Sequence, residues 1–375
     1  MNNSNQEYKK IAEIVIYLAG CAVNSQIPER EKFSGAGLED IYKFAEFHKI
    51  SALICMALES AGVKNDLFLQ SKGLSFSRIT RLEIDALELF DRLEHAKIWY
   101  MPLKGYIIKN YYPAFGMREM SDIDILFDSS QARKVRAIMQ DMGFETKNFN
   151  SGAHDVYQKK PVSNFELHRD LFGPTAEKFY NYYHEIKRKL ILKAGSNYYY
   201  EFSKEDLYIY ITAHEYKHYS SGGTGLRSLI DIYLFMKKFA GELDYNYISC
   251  ELDKLGLTEF EANNKSLAMN LFSGGDVNII NQEIYNYMIT SGAKGLIEHR
   301  VSNKLKTRSK LKYLCERIFL SDLELRERFP FFYKHKILLP FLVIYRGFRA
   351  LTVKRKSIMI ELKSFMKVNK LPPQQ

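Results

Sequence analysis

The chain has 375 residues, 46% hydrophobic and 26% charged, which is enough length for two or three units with sizeable cores. That composition excludes a disordered or collagen-like chain. The four scattered cysteines (Cys21, Cys55, Cys250, Cys315) form no C-x-x-C pair, so they exclude a disulfide scaffold and read as reduced, mostly buried thiols. The net charge of +10 is uneven, because residues 291–375 carry 20 Lys+Arg against 6 Asp+Glu, a net of +14, and the remainder is at −4.

Residues up to about Tyr100 read as helical. Glu7 to Val23 places Ile11, Ile14, Val15 and Leu18 on one helix face, and Leu38 to Ala61 and Leu74 to Ala96 repeat that spacing, separated by Gly62 and a loop around Lys64 to Asp66. Ile98 to Leu103 switches to a short β-rich run. Gly105 to Tyr112 then reads as a helix stopped before Pro113. Asp122 to Phe127 is the clearest strand signal, alternating polar and apolar before turning wholly apolar. A helix over Ser130 to Met142 follows, ending at Gly143, and then two strands near Val156 to Lys159 and Asn164 to His168 with Lys160-Pro161 at their turn. Helices return at Glu177 to Leu192, Lys204 to Tyr219, Gly225 to Phe239 and onwards to about Lys370. The expected fold class is therefore α/β (α+β), a small mixed β-sheet embedded in a mostly helical protein. Four regions are expected: an N-terminal helical region at 1–97, an α/β core at 98–175, a helical acceptor-pocket region at 176–290 and a basic helical region at 291–375. No run approaches the ~18 apolar residues that cross a bilayer. The longest is Ile337 to Tyr345, and Met1 to Lys10 lacks the apolar core of a secretory signal. A soluble, cytoplasmic protein is expected.

The chemistry concentrates in the expected core. In a strand, Asp122 and Asp124 share a face about 7 Å apart, a spacing that can hold two divalent cations roughly 4 Å apart for in-line phosphoryl or nucleotidyl displacement. Glu166, on a neighbouring strand, is the candidate third carboxylate, and Mg²⁺ (or Mn²⁺) suits such a set of hard oxygens. Gly105, between a strand and a helix, offers backbone N–H groups and a helix dipole to phosphate, and Lys104 adds a positive charge.

A strand, a glycine at the following helix start, D-x-D on the next strand and a later carboxylate resemble the DNA polymerase beta-like nucleotidyltransferase superfamily. The finer pattern is similar to the group catalogued as uncharacterised nucleotidyltransferases: L-K-G at Leu103 to Gly105, R-x-x-S-D-I-D at Arg118 to Asp124, E-L-H at Glu166 to His168, and H-x-x-K-H with G-L-R-x-L-x-D at His214 to His218 and Gly225 to Asp231. Tyr106 stands where the superfamily usually has Ser, and the gap from Gly105 to Asp122 is long. The resemblance implies a nucleotidyltransferase core and Mg²⁺-dependent transfer of a nucleoside monophosphate from an NTP, with ATP foremost, to an acceptor. Asp122, Asp124 and Glu166 would be catalytic and metal-holding. Lys104, Gly105, Arg118, Ser121, His168, Lys217, Arg227 and Asp231 would bind the NTP or the acceptor. The acceptor is left open between a small molecule, a sugar phosphate, an RNA end and a protein side chain.

Three motifs carry rival readings. His214-Glu215-Tyr216-Lys217-His218 matches H-E-x-x-H, the pattern of a zinc metallohydrolase, with Glu242 a conceivable distant ligand. In the nucleotidyltransferase reading Lys217 meets phosphate from that helix and Glu215 points elsewhere. Arg227 and Asp231 are four apart on a helix, which suits either a surface ion pair or, behind the glycine-rich turn Gly222 to Gly225, contact with a triphosphate. The basic end, with Lys354-Arg355-Lys356, suits a non-catalytic polyanion-binding protein or a weak contact with an anionic surface. Its interleaved Leu, Ile and Phe lead us to expect a last helix packed on the body with its lysines in water.

Overall fold

The structure is a computed structural model and describes residues 3–273, 282–293 and 295–367, so the expected helix end near Lys370 lies outside the described residues. Five strands make one mixed sheet: β1 (Tyr100–Pro102), β2 (Ile123–Phe127), β3 (Glu145–Asn148), β4 (His154–Lys159) and β5 (Ser163–His168), in the order β1-β2-β5-β4-β3. β2 and β5 are parallel and the other pairs antiparallel. Around them lie α1 (Asn3–Val23), α2 (Leu38–Phe47), α3 (Ser51–Ser60), α4 (Asp66–His95), α5 (Gly105–Ile108) and α6 (Ala132–Asp141). After the sheet come α7 (Glu177–Tyr183), α8 (Lys204–Ser221), α9 (Leu226–Phe239), α10 (Tyr245–Leu255), α11 (Thr258–Phe272) and α12 (Gln282–Ser291). The basic end holds α13 (Ile297–Thr307), α14 (Lys310–Ile318), α15 (Asp322–Arg328), α16 (Pro330–Lys334), α17 (Leu339–Thr352) and α18 (Arg355–Lys367).

Strand alternation gives the sheet two unlike faces. Ile123, Ile125 and Phe127 of β2 and Phe165 and Leu167 of β5 join a core with Leu82, Leu89 and Phe90 of α4 and Val135 and Met139 of α6. The intervening residues, Asp122, Asp124, Glu166 and His168, therefore belong to the opposite face. Buried Asp85 on α4 pins the β4–β5 hairpin by accepting from Lys159 Nζ at 3.0 Å and Ser163 Oγ at 2.5 Å. A second, larger core runs from Ala12 to Ile289. It joins α1–α3 to α8, α9, α11 and α12, so the two flanking helical regions share one interior.

Several boundaries differ from expectation. The helix expected over Leu38 to Ala61 is two, broken at Lys49 (φ +57°) where His48 turns into the core. The helix expected from Leu74 starts earlier, at Asp66, directly after the expected loop, with the Asn65 side chain accepting from the N–H groups of Leu67 and Phe68. Glu177 to Leu192 is α7, a 3-10 turn and β6 (Ile191–Leu192), which pairs with β7 (Tyr200–Glu201). β3 was not anticipated. Its exposed Glu145 and Lys147 are edge-strand residues without a β-branched run. Of the cysteines only Cys21 and Cys55 are buried, because Cys250 and Cys315 fall on exposed helix faces.

His48 fastens three elements. Its Nδ1 accepts from the Leu226 N–H at 3.1 Å and its Nε2 donates to the Ile289 carbonyl at 3.0 Å, with the ring fully buried. Burial lowers its pKa to about 4, so the unfolded chain takes up this proton first and the contribution is lost as pH falls from about 6.5 towards 4. His48→Gln keeps the donor to Ile289 but loses the Leu226 bond. It should cost about 1–2 kcal/mol at pH 7, a gap that narrows at pH 5. Urea titrations of both proteins at the two pH values check this, and a constant gap would contradict it.

Candidate functional site

The polar sheet face opens onto a cavity of about 330 Å³, at the lower end of ligand-site volumes. Lys104, Gly105, Arg118, Ser121, Asp122, Asp124, Glu166, Arg227 and Asp231 all line it. His168 stands behind Asp124, donating from Nε2 to Oδ1 at 2.7 Å. Lys217 is exposed and does not line the cavity. On α8 the residues that do are Ile211, His214, Glu215 and His218, at one-face spacing, so the expectation that Glu215 turns away is corrected, while Lys217 stays near enough for its charge to act on Asp124 and Glu166.

The parallel β2–β5 register sets Asp124 opposite Glu166. Burial and the neighbouring Asp124 raise the Asp122 carboxyl, while burial, Asp124 and Asp122 push Glu166 up to about 7. Asp124 alone is held well below the usual carboxylate range. Burial opposes this, but Lys104 Nζ at 3.3 Å and His168 outweigh it. The three carboxylates do not close into one tight cluster. Among the described residues, the group whose ligand atoms lie within 4.8 Å of one another is His154, Glu166 and His168. His154 was not singled out in the sequence. It faces His168 across the antiparallel β4–β5 pair, and counting back from the Lys160-Pro161 turn finds it.

Lys104 has φ +41° and ψ −111°, a backbone region that favours glycine and costs of order 1–3 kcal/mol in another residue. Its ion pair with Asp124 and the Leu103 N–H bond to the Asp124 carbonyl at 2.9 Å hold the turn. The expected helix over Gly105 to Tyr112 is only the single turn of α5 and a 3-10 turn, so little macrodipole is available to an anion. Gly105 has another reason to be glycine: a Cβ there would lie 2.5 Å from Arg118 Nη1. Tyr106, in the place of the usual Ser, is buried in the sheet core with its hydroxyl donating to Glu83.

The Arg227–Asp231 ion pair does not form. Asp231 is taken by Arg118, whose Nε and Nη2 donate to Oδ1 and Oδ2 at 2.9 and 2.7 Å, and by the Tyr112 hydroxyl at 2.8 Å. Both members of that bidentate pair are buried. Arg227 is left with a single hydrogen bond, Nη1 to the Glu119 carbonyl at 3.2 Å, and has no carboxylate partner among the described residues. Burial and the nearby Arg118 both disfavour its charge, so this guanidinium suits an anion in the cavity. The glycine-rich turn is also reinterpreted. Cβ atoms at Gly222, Gly223 and Gly225 would strike Leu296, Ser291 and Gly292, so the close approach is made by the chain itself and not by a ligand.

The H-E-x-x-H pattern is not built as a zinc site. His214 and His218 lie Nε2 to Nε2 at 3.1 Å, and no third His, Cys, Asp or Glu gathers with them among the described residues. Glu242 is paired with Lys204 instead. Burial lowers the pKa of both imidazoles, that of His218 to about 4, so they are neutral groups in the cavity wall. Neither oxygen of buried Glu215 has a hydrogen-bond partner, and burial pushes its pKa up to about 8.

A family model described as "Uncharacterised nucleotidyltransferase" matches residues 34–273. No curated protein matches. A solved solution structure of antibiotic-resistance factor ANT(2'')-Ia superposes with a TM-score of 0.26 at 10% identity, covering 52% of this chain and 92% of that one, a likeness too slight to carry anything over.

Two substitutions probe this geometry. Gly105→Ala should displace the Arg118 guanidinium and destabilise by about 2–4 kcal/mol, whereas Gly73→Ala, on α4 with open space around it, should be neutral or mildly stabilising. Equal effects in denaturant titrations would contradict the proposed clash. Glu215→Gln should stabilise the protein by an amount that grows as pH rises from about 4.5 to 8, by up to ~1.4 kcal/mol per unit, because the unfolded carboxyl ionises while the folded one resists. Thermal melts across that range are the check.

Proposed function

The chain belongs to the uncharacterised nucleotidyltransferase family, and we propose that it transfers a nucleoside monophosphate from an NTP, ATP foremost, to an acceptor with Mg²⁺ or Mn²⁺ in the cytoplasm. The observation that carries this reading is Asp124 in register with Glu166, with Asp122 on the same sheet face, beneath the uncommitted guanidinium of Arg227.

The carboxylates fit a divalent cation electrostatically, since burial and mutual repulsion raise Asp122 and Glu166, and a doubly charged ion relieves both. Asp122, Asp124 and Glu166 would hold it. Their hard oxygens suit Mg²⁺, and the imidazoles of His154 and His168 beside Glu166 favour Mn²⁺ further. When bound, such an ion neutralises charge developing at the α-phosphate. The remaining work falls to the chain's own side chains. Arg227 holds phosphate oxygens, and Lys104 is placed to share its charge between Asp124 and the triphosphate. Arg118 stays on Asp231 and fixes the Gly105 turn. Glu166 would accept the acceptor's proton as the acceptor oxygen bonds to the α-phosphorus and the bond to the β-phosphate breaks, releasing pyrophosphate. The acceptor remains a small hydroxyl compound, a sugar phosphate, an RNA end or a protein side chain. Labelled NTP incubated with extract fractions, followed by mass spectrometry of the adduct, identifies it.

Asp122→Asn with Asp124→Asn should abolish metal-dependent ATP binding in a chain that still folds, and Arg227→Ala should weaken ATP binding about tenfold. Calorimetric titration with and without Mg²⁺ or Mn²⁺ measures both effects. Unchanged affinity in the folded double variant would remove this metal site.

A further inference from the structure

At the basic end the last helix packs as expected, α18 lying against α13 with Glu361 and Ser364 buried, but many of the apolar residues between the lysines stay exposed. Among the described residues, 17 of the 27 exposed large hydrophobic side chains lie beyond residue 291. The densest stripe is on α17, where Phe341, Ile344, Tyr345, Phe348 and Leu351 recur every three or four residues and are 50–74% exposed. The opposite side of the same helix is docked. Leu342 is buried, and the Arg346 guanidinium donates to the carbonyls of Ile318 and Arg317 at 2.8 Å. One face is therefore held by the protein while the other is apolar and bare.

The charge around this stripe is of one sign. Arg349, Lys354, Arg355 and Lys356 have no ion-pair partner among the described residues, and Glu361, the one acid of 329–367, is committed to Arg317 and Tyr313. Arg349 and Lys354 also rim a cavity of about 400 Å³ together with Arg317 and Arg328, over Ile318, Val343 and Ala350. An aliphatic and aromatic stripe flanked by unpaired cations is complementary to a surface that is apolar within and anionic at its rim. No helix of the described residues is long and apolar enough to cross a membrane, so the stripe would lie along the surface.

We propose that α17 docks this protein onto an anionic lipid bilayer. The side chains of Phe341, Ile344, Phe348 and Leu351 enter the acyl boundary, and Arg349 and Lys354 to Lys356 meet lipid phosphates. RNA gains nothing from the aliphatic members of the stripe, and a second copy would bring its own net +14 against the first. This inference stands apart from the nucleotidyl-transfer reading, because it uses none of the cavity residues.

Full-length protein is sedimented with vesicles of phosphatidylcholine alone and of phosphatidylcholine mixed with phosphatidylglycerol. Binding is expected to the mixed vesicles only and to weaken with salt. Phe341→Ser with Phe348→Ser should reduce it about tenfold or more, as should Lys354→Ala, Arg355→Ala and Lys356→Ala together, with thermal melts confirming that each variant folds. Phe348→Trp adds a fluorophore whose emission should shift to the blue on mixed vesicles, above the background of the lone Trp99. Absence of wild-type binding to anionic vesicles overturns the proposal whatever the variants do. So does undiminished binding by the folded Phe341→Ser, Phe348→Ser protein. Salt-sensitive binding of mixed RNA without vesicle binding, or a concentration-dependent dimer lost in the serine variant, would replace the bilayer with that partner.

Discussion

Negative charge gathered on one face of a half-buried sheet has to be balanced, and the parallel pairing of β2 with β5 is what gathers it. The register that puts Ile125 opposite Leu167 in the core also puts Asp124 opposite Glu166 on the reverse face, so the apolar interior and the carboxylate cluster are two consequences of one alignment. Shifting β5 by one residue would bury Glu166 among Phe90 and Met139 and expose Phe165. The hydrophobic effect therefore fixes the spacing of the acids more firmly than any interaction among the acids themselves. Lys104 answers part of that charge from a backbone conformation a lysine seldom takes, which is the kind of local strain that a surrounding fold over-determines.

The cations around the cavity have different tasks. Arg118 is consumed by Asp231 and Tyr112, so it acts as a bracket joining the loop before β2 to α9. Arg227 is one turn along the same helix, close enough to that bracket to be repelled by it and without a carboxylate of its own. A half-buried guanidinium in that position is stable only while the fold compels it. The histidines His154, His168, His214 and His218, all biased towards their neutral forms by burial, line or back the same space without adding to its positive charge.

Features legible in the sequence were those set by local periodicity. Period-two alternation puts Asp122 and Asp124 on one face, and the helix-face spacing of Ile11, Ile14, Val15 and Leu18 marks α1. Features set by distant partners were not. The i,i+4 spacing of Arg227 and Asp231 is real, but Arg118, more than a hundred residues away in sequence, offers Asp231 a bidentate contact that the local geometry does not match. Gly222 to Gly225 reads as a phosphate loop until Ser291 and Leu296 are seen filling the space. His154 carries no motif, and only the cross-strand register reveals it. On α17 the recurrence of Phe341, Ile344, Phe348 and Leu351 names a face without naming what covers it.

The family match starts at residue 34, yet the interior does not. α1 buries Val15, Leu18 and Ala19 against α3 and α11, the Tyr8 hydroxyl donates to the Ile289 carbonyl, and the Asn24 amide donates to the Phe272 carbonyl. A gene fragment trimmed to the matched segment would leave a trough of leucine, isoleucine and phenylalanine open to water along the length of a missing helix. Such a fragment would be recovered from inclusion bodies, and an inactive product from it would say nothing about the carboxylates.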